Sequence, residues 1–157
     1  MQKIITHLWF DNEAQEAVDL YTSIFADSKI LTTEYLNAPG EGNEGSVMAI
    51  EFQLAGQEFI AINGGPYFTF TPAMSLYINC ETQLEVDTIW DTLVLEGEPG
   101  ECGWLTDKYG ISWQVVPTVL RKLLTDADPV KRDAVSTAMF KMKKLEITEL
   151  QKAYDNA

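Results

Sequence analysis

A chain of 157 residues with 24 acidic against 11 basic side chains carries a net charge of −13, which repels phosphate backbones and anionic lipid wherever cations are not clustered. At this length roughly 70% of the unfolded surface can be buried, and 46% hydrophobic with 22% charged residues is an ordinary globular composition, so neither a metal nor a disulfide is required for stability. No apolar run approaches the ~20 residues of a membrane helix, and Cys80 and Cys102 have neither the number nor the spacing of a disulfide framework or zinc site.

The opening MQKIITHLWF lacks a cationic segment followed by a long apolar core and a cleavage site, so the expected location is the cytoplasm. Ile4 to Phe10 reads as a strand. Asp11 or Asn12 is positioned to cap a helix whose apolar residues Ala14, Ala17, Val18, Tyr21, Ile24 and Phe25 recur at helical spacing. Lys29 to Tyr35 is a second strand, and Pro39, Gly40, Gly42 and Gly45 mark the loop Asn37 to Gly45, expected to be mobile. Ser46 to Leu54 alternates and turns through Ala55-Gly56-Gln57 into Glu58 to Asn63, a hairpin. The first half is therefore βαβββ.

Gly64, Gly65 and Pro66 lead into an aromatic connector with Tyr67, Phe68 and Phe70, after which the pattern restarts. Met74 to Cys80 is a strand, Gln83 to Leu95 a helix with Val86, Ile89, Trp90 and Leu93 on its apolar stripe, and Asp107-Lys108-Tyr109-Gly110 a tight turn before the strand Ile111 to Val116. An ungapped offset of 69 positions lays Thr6 on Ser75, Leu8 on Tyr77, Ala17 on Val86, Leu20 on Ile89 and Tyr21 on Trp90, which points to an internal duplication. Pro117 ends the last strand. Val119 to Leu124 and Pro129 to Tyr154 read as C-terminal helices, packed through Ala134, Ala138, Met142, Leu145 and Leu150, and Lys141 to Lys144 as the solvated edge of a docking helix. The expected organisation is one domain over 1–157, with modules at 3–66 and 73–117 and helices at 118–155.

Four stretches, ITHLWFDNEAQEAVDLYTSIF, EGSVMAIEFQLAGQEFIAINGGPYFTF, SLYINCETQLEVD and GECGWLTDKYGISWQVVP, resemble the PhnB-like (3-demethylubiquinone-9 3-methyltransferase-like) family, a branch of the vicinal oxygen chelate or glyoxalase, bleomycin-resistance and dioxygenase superfamily. The resemblance extends through VSTAMFKMKKLEITELQKAY, to about Tyr154. It implies an α+β fold in which two βαβββ modules form a curled mixed sheet, usually completed by a second copy in a homodimer. Metal-dependent members hold a divalent ion with His, Glu or Gln side chains from the first and last strand of each module. Aligned to that pattern, these positions are Thr6, Ala61, Ser75 and Gln114, which lack the imidazoles and carboxylates that retain such ions, so no metal and no cofactor is expected. His7 is one position away, and a one-residue register shift would bring it to the metal-ligand face. The methyl transfer in the family label normally uses a Gly-rich loop between a strand and a helix, whereas Asn63-Gly64-Gly65-Pro66 leads to aromatics.

If even positions of the first strand and odd positions of 59–63 and 75–79 face the concavity, its lining includes Thr6, Leu8, Phe10, Ala61, Asn63, Ser75 and Tyr77, joined by Gln114 and fringed by Tyr67, Phe68 and Trp104, while Ile60, Ile62, Leu76 and Ile78 suit burial under the helices. Glu51 is the one carboxylate whose parity suits this polar side, as a solvated residue or a base. Three functions stay open: a homodimeric module binding a small hydrophobic or aromatic molecule, an enzyme (isomerase, dioxygenase or methyltransferase-labelled) on a small organic substrate, either without a metal or with one recruited by His7 and Glu51, and an interaction protein docking through Met139, Phe140, Met142 and Leu145. Nucleic acid and membrane are not expected partners.

Overall fold

The computed structural model describes residues 2–36 and 45–157, so the mobility expected of the Asn37 to Gly45 loop falls largely outside it. The chain forms two compact units, one ending at Phe70 and one beginning at Thr71. The first contains β1 (Thr6–Phe10), α1 (Ala14–Ile24), β2 (Lys29–Tyr35), β3 (Val47–Leu54) and β4 (Gln57–Asn63). Its sheet runs β1-β4-β3-β2, with β1 parallel to β4 and the other pairs antiparallel. Ala55 and Gly56 both have positive φ, 46° and 81°, in a two-residue turn that pairs Leu54 with Gln57. Such a turn matches the right-handed twist of the strands and fixes their register.

The face of this sheet under α1 is not the face expected. Register places Leu8 beside Ala61, Ala61 beside Ile50 and Phe59 beside Phe52, and all five are buried together with Phe10 and Leu54. The helix contributes Ala14, Ala17, Val18 and Tyr21, each fully buried. Leu8, Phe10 and Ala61 therefore belong to the core and not to an open concavity, while Ile60 and Ile62 are only half-buried on the other side. Alternation left both faces of β1 and β4 apolar, so volume decides. The small Ala14 and Ala17 leave room under the helix for the rings of Phe52 and Phe59, stacked 5.5 Å apart, and each such buried ring stabilises the fold by about 1.5–3 kcal/mol.

Helix α1 is also capped differently. Its N-cap is Glu13, which makes no side-chain cap bond, and Asp11 and Asn12 lie further out. The acceptor comes from the sheet: Asn63 Oδ1 receives the Ala14 N–H at 2.9 Å, and its amide donates to the Val47 carbonyl at 3.0 Å.

The second unit holds β5 (Ser75–Cys80), α2 (Gln83–Leu93), β6 (Glu98–Pro99), β7 (Trp104–Thr106), β8 (Ser112–Pro117), α3 (Thr118–Leu124), α4 (Pro129–Met139) and α5 (Ile147–Asp155). Its sheet runs β5-β8-β7-β6, repeating the order of the first, with β5 parallel to β8. Two mixed four-stranded sheets with helices make the fold α+β, as expected. Thr82 caps α2 by accepting the Glu85 N–H, and the buried Val86, Ile89, Trp90 and Leu93 form its inner stripe. Here Trp113, Val115, Leu105 and Cys80 are buried on the face that also carries Leu76 and Ile78, so the expected parity holds in this unit.

The offset of 69 is kept by the helices, which start at Ala14 and Gln83, but three residues join β1 to α1 and two join β5 to α2. That one-residue difference sets the strands at an offset of 70. Phe10 then matches Cys80, and His7 matches Tyr77.

The C-terminal helices share a core with the second sheet. Val116, Leu120, Leu123, Val135, Leu145 and Leu150 form one buried cluster. The expected helix from Pro129 to Tyr154 is broken at 140–146, where the chain returns to the sheet unit: Cys102 and Gly103 donate to the Met142 and Lys143 carbonyls, and Gln83 bonds both the Leu145 carbonyl and the Ile147 N–H. Lys144 reaches Asp87 at 3.1 Å and Asp91 at 3.5 Å, so it is a docking residue on α2, while Lys141 and Lys143 are exposed.

Candidate functional site

The strand residues with the richest polar chemistry converge on the face of the second sheet turned away from its buried stripe. Register aligns Tyr77, Gln114 and Trp104 in one row across β5, β8 and β7, with Ser75, Ser112 and Thr106 in the adjoining row. Cross-strand neighbours on one face lie within reach of each other. Gln114 Nε2 donates to Ser75 Oγ at 2.9 Å, which fixes the amide, and Tyr77 is half exposed. Further along β5 this face runs into a groove of about 460 Å³ lined by Tyr77, Asn79, Leu120, Arg121, Leu124 and Thr125. That volume lies in the range of small-molecule pockets.

Four of the expected site residues thus come together: Ser75, Tyr77, Trp104 and Gln114. The rest do not join them within this unit. Leu8 and Phe10 are core, Asn63 is committed to capping α1, and Thr6 is half-buried at the start of β1. Glu51 is exposed on the outer face of the first sheet, where both it and His7 pair with Ile60 from either side. Tyr67 is 78% exposed in the connector, and its neighbour Phe68 stacks edge-on against Trp9 with ring centres 5.1 Å apart. Trp9 is held further by its Nε1 bond to the Gly65 carbonyl and by Gly64, where a Cβ would come 2.2 Å from the indole.

Sequence reading passed over Asn79, Leu120, Arg121, Leu124 and Thr125. Asn79 shares parity with Tyr77, and Leu120 with Leu124 and Arg121 with Thr125 stand at i, i+4, so a signal was present; what was missing was the position of α3 against β5. It also passed over Asp107. This buried carboxylate accepts the Tyr109 and Ile111 N–H groups and the Trp113 indole N–H at 2.8 Å, tying the turn to the strand that carries Gln114.

The strand residues of β5, β7 and β8 on the open face offer hydroxyls, amides, a phenol and an indole, with no carboxylate or imidazole among them. Groups with resolved shifts lie elsewhere. Burial, with Glu85 and Glu81 nearby, pushes the Cys80 thiol up to about 12. Hydrogen bonds from Gln83 and then Lys144 lower the Asp87 carboxyl.

The family model described as 3-demethylubiquinone-9 3-methyltransferase matches residues 2–116, nearly three quarters of the chain. The chain belongs to this PhnB-like family. A PhnB protein from Bacillus cereus is 43% identical over 74% of this chain and all of its own, with a TM-score of 0.69. A Staphylococcus aureus protein is 33% identical over 73% of this chain and 94% of its own, with a TM-score of 0.35. Protein PA1353 from Pseudomonas aeruginosa, 18% identical over 74% of this chain and 98% of its own, shares the fold at a TM-score of 0.58. No curated protein matches. The family match stops at residue 116, short of the C-terminal helices, whereas the sequence resemblance extends to about Tyr154.

In this family's superfamily the metal positions fall on the first and last strand of each module. The strand offset of 70 moves the two of the first unit, where the open-face positions are His7 and its register partner Ile60; in the second unit Ser75 and Gln114 stay on the open face, with Tyr77 the register partner of Gln114. Neither an imidazole beside an aliphatic side chain in the first unit nor a phenol beside an amide in the second makes a divalent-metal donor set, and no group of three His, Cys, Asp or Glu suited to a metal occurs among the described residues.

Proposed function

We infer that this PhnB-like protein is a homodimeric binding module that takes a small, partly aromatic molecule on the open face of its second sheet, without a metal and without turning it over. The observation that supports this most is the row Tyr77–Gln114–Trp104, anchored by the Gln114–Ser75 bond and continuous with the groove against α3. Aromatic walls and fixed polar groups bind and orient a ring. General acid–base work needs a group titrating near neutrality, and the row Tyr77–Gln114–Trp104 supplies no carboxylate or imidazole; Glu98 of the edge strand β6 falls in the adjoining row, in register with Thr106. The reaction in the family name would need a methyl donor held in place. Gly64-Gly65-Pro66 follows a strand but opens no helix, so it lacks the helix N-terminus that such loops use. No helix among the described residues is long and apolar enough to cross a membrane, and the ligand is proposed to be met in the cytoplasm.

The test is a thermal-shift screen of aromatic compounds on the full chain, followed by calorimetry with Tyr77→Ala and with product analysis after long incubation. The reading expects a saturable shift that Tyr77→Ala weakens about tenfold or more, and an unchanged compound. Turnover of the bound compound, or hits indifferent to Tyr77, would contradict it.

A further inference from the structure

The groove against α3 is built from two sources. Tyr77 and Asn79 lie within the family match, whereas Leu120, Arg121, Leu124 and Thr125 lie beyond residue 116, where it ends. The C-terminal helices therefore add a wall that the family match does not cover. Leu120 and Leu124 give its lining apolar surface, Tyr77 an aromatic ring and Asn79 an amide.

Arg121 sets the charge of the site. Three other cations of the second unit are engaged: Lys144 by Asp87 and Asp91, Arg132 by the Asp126 and Ala127 carbonyls, and Lys131 over the ring of Tyr154 at 4.4 Å, while the neighbouring Lys122 is exposed and does not line the groove. Arg121, by contrast, lines the groove and has no carboxylate partner among the described residues, in a chain of net charge −13. An arginine spared from so large an acidic excess and placed at an apolar groove presents a planar fork of donors suited to a carboxylate.

We propose that this groove binds a small aromatic monocarboxylate, its ring against Tyr77, Leu120 and Leu124 and its carboxylate on Arg121, with the Asn79 amide as a further donor. The proposal rests on the reading of this face as a binding face and names its ligand class. A single cation matches one negative charge, and the surrounding acidity opposes a dianion such as a phosphate monoester. Thr125 contributes shape more than donation, because its hydroxyl already donates to the Arg121 and Lys122 carbonyls.

Calorimetry on the full chain with 2-naphthoate, its neutral amide 2-naphthamide and 2-naphthyl phosphate tests this. The acid is expected to bind about tenfold tighter than the amide, as suits a charge-assisted pair at a partly exposed site. R121Q should bring the acid down to the amide's affinity and leave the amide unmoved, with R121K between the two. An acid insensitive to R121Q, an amide that equals the acid, or a phosphate that surpasses it would overturn the ligand class while the aromatic binding face stands. Failure of all three probes to bind would overturn both.

Discussion

Asp107 shows how much of this fold hangs on one buried carboxylate. Its two oxygens receive the Tyr109, Ile111 and Trp113 donors, so Asp107→Asn turns an amide N–H toward the Trp113 indole N–H and should cost about 1–3 kcal/mol. Urea unfolding at pH 7 would show a lower midpoint with unchanged slope, and adding Trp113→Phe should cost less than the sum of the two single changes, because the orphaned donor is gone. Cys80 makes a pH prediction of definite sign. Its folded value is raised from 9.0 to about 12, so the folded state holds the proton more tightly and the contribution is full below pH 9, then lost as pH rises toward 12. Stability measured by urea from pH 8 to 11 should fall, and Cys80→Ala should flatten that fall. At this scale the sequence showed the residues but not their ties: Asp107 read as a turn residue, because its meeting with Trp113 depends on how the turn folds back onto β8.

Among elements, the four strands of the first unit, β5, β8, both helices of the repeat and the hairpin at Ala55-Gly56 were legible from periodicity and turn chemistry, to within a residue or two, whereas β6 and β7 were not, because Gly97, Pro99, Gly100 and Gly103 read as turns. The sheet face in the first unit was not. Leu8, Trp9 and Phe10 offer apolar side chains to both faces, and the ungapped repeat hid a one-residue difference in the strand-to-helix connection, which flips every strand side chain. The cap of α1 was missed for a related reason, since Asn63 is 49 positions from the N–H it accepts. Asn63→Ala should therefore cost about 1–2 kcal/mol in chemical denaturation, whereas Asn12→Ala should cost little. Gln83 is the matching device in the second unit, bridging α2 to the Leu145 carbonyl and the Ile147 N–H. Gln83→Ala should loosen the 140–147 segment, seen as faster amide exchange at Ile147 than in the native chain.

For the whole molecule, the family and the duplicated βαβββ plan were readable from four sequence stretches, while the α3 groove was not, because it needs the C-terminal helices placed on β5. The homodimer is a proposal at this scale. Sedimentation velocity at micromolar concentration should give a species near twice 17.6 kDa, and a monomer would remove that part of the reading.

The proposed function requires that neither His7 with Ile60 in the first unit nor Tyr77 with Gln114 in the second holds a divalent ion. Thermal unfolding of untagged protein titrated with zinc, manganese, nickel and magnesium, alongside His7→Ala, tests it directly. A ligand that binds only the folded state must raise the transition, by about 2.7 kcal/mol of added stability at a hundredfold excess over its Kd. The account predicts no saturable rise in either protein; a saturable rise that His7→Ala abolishes would contradict it.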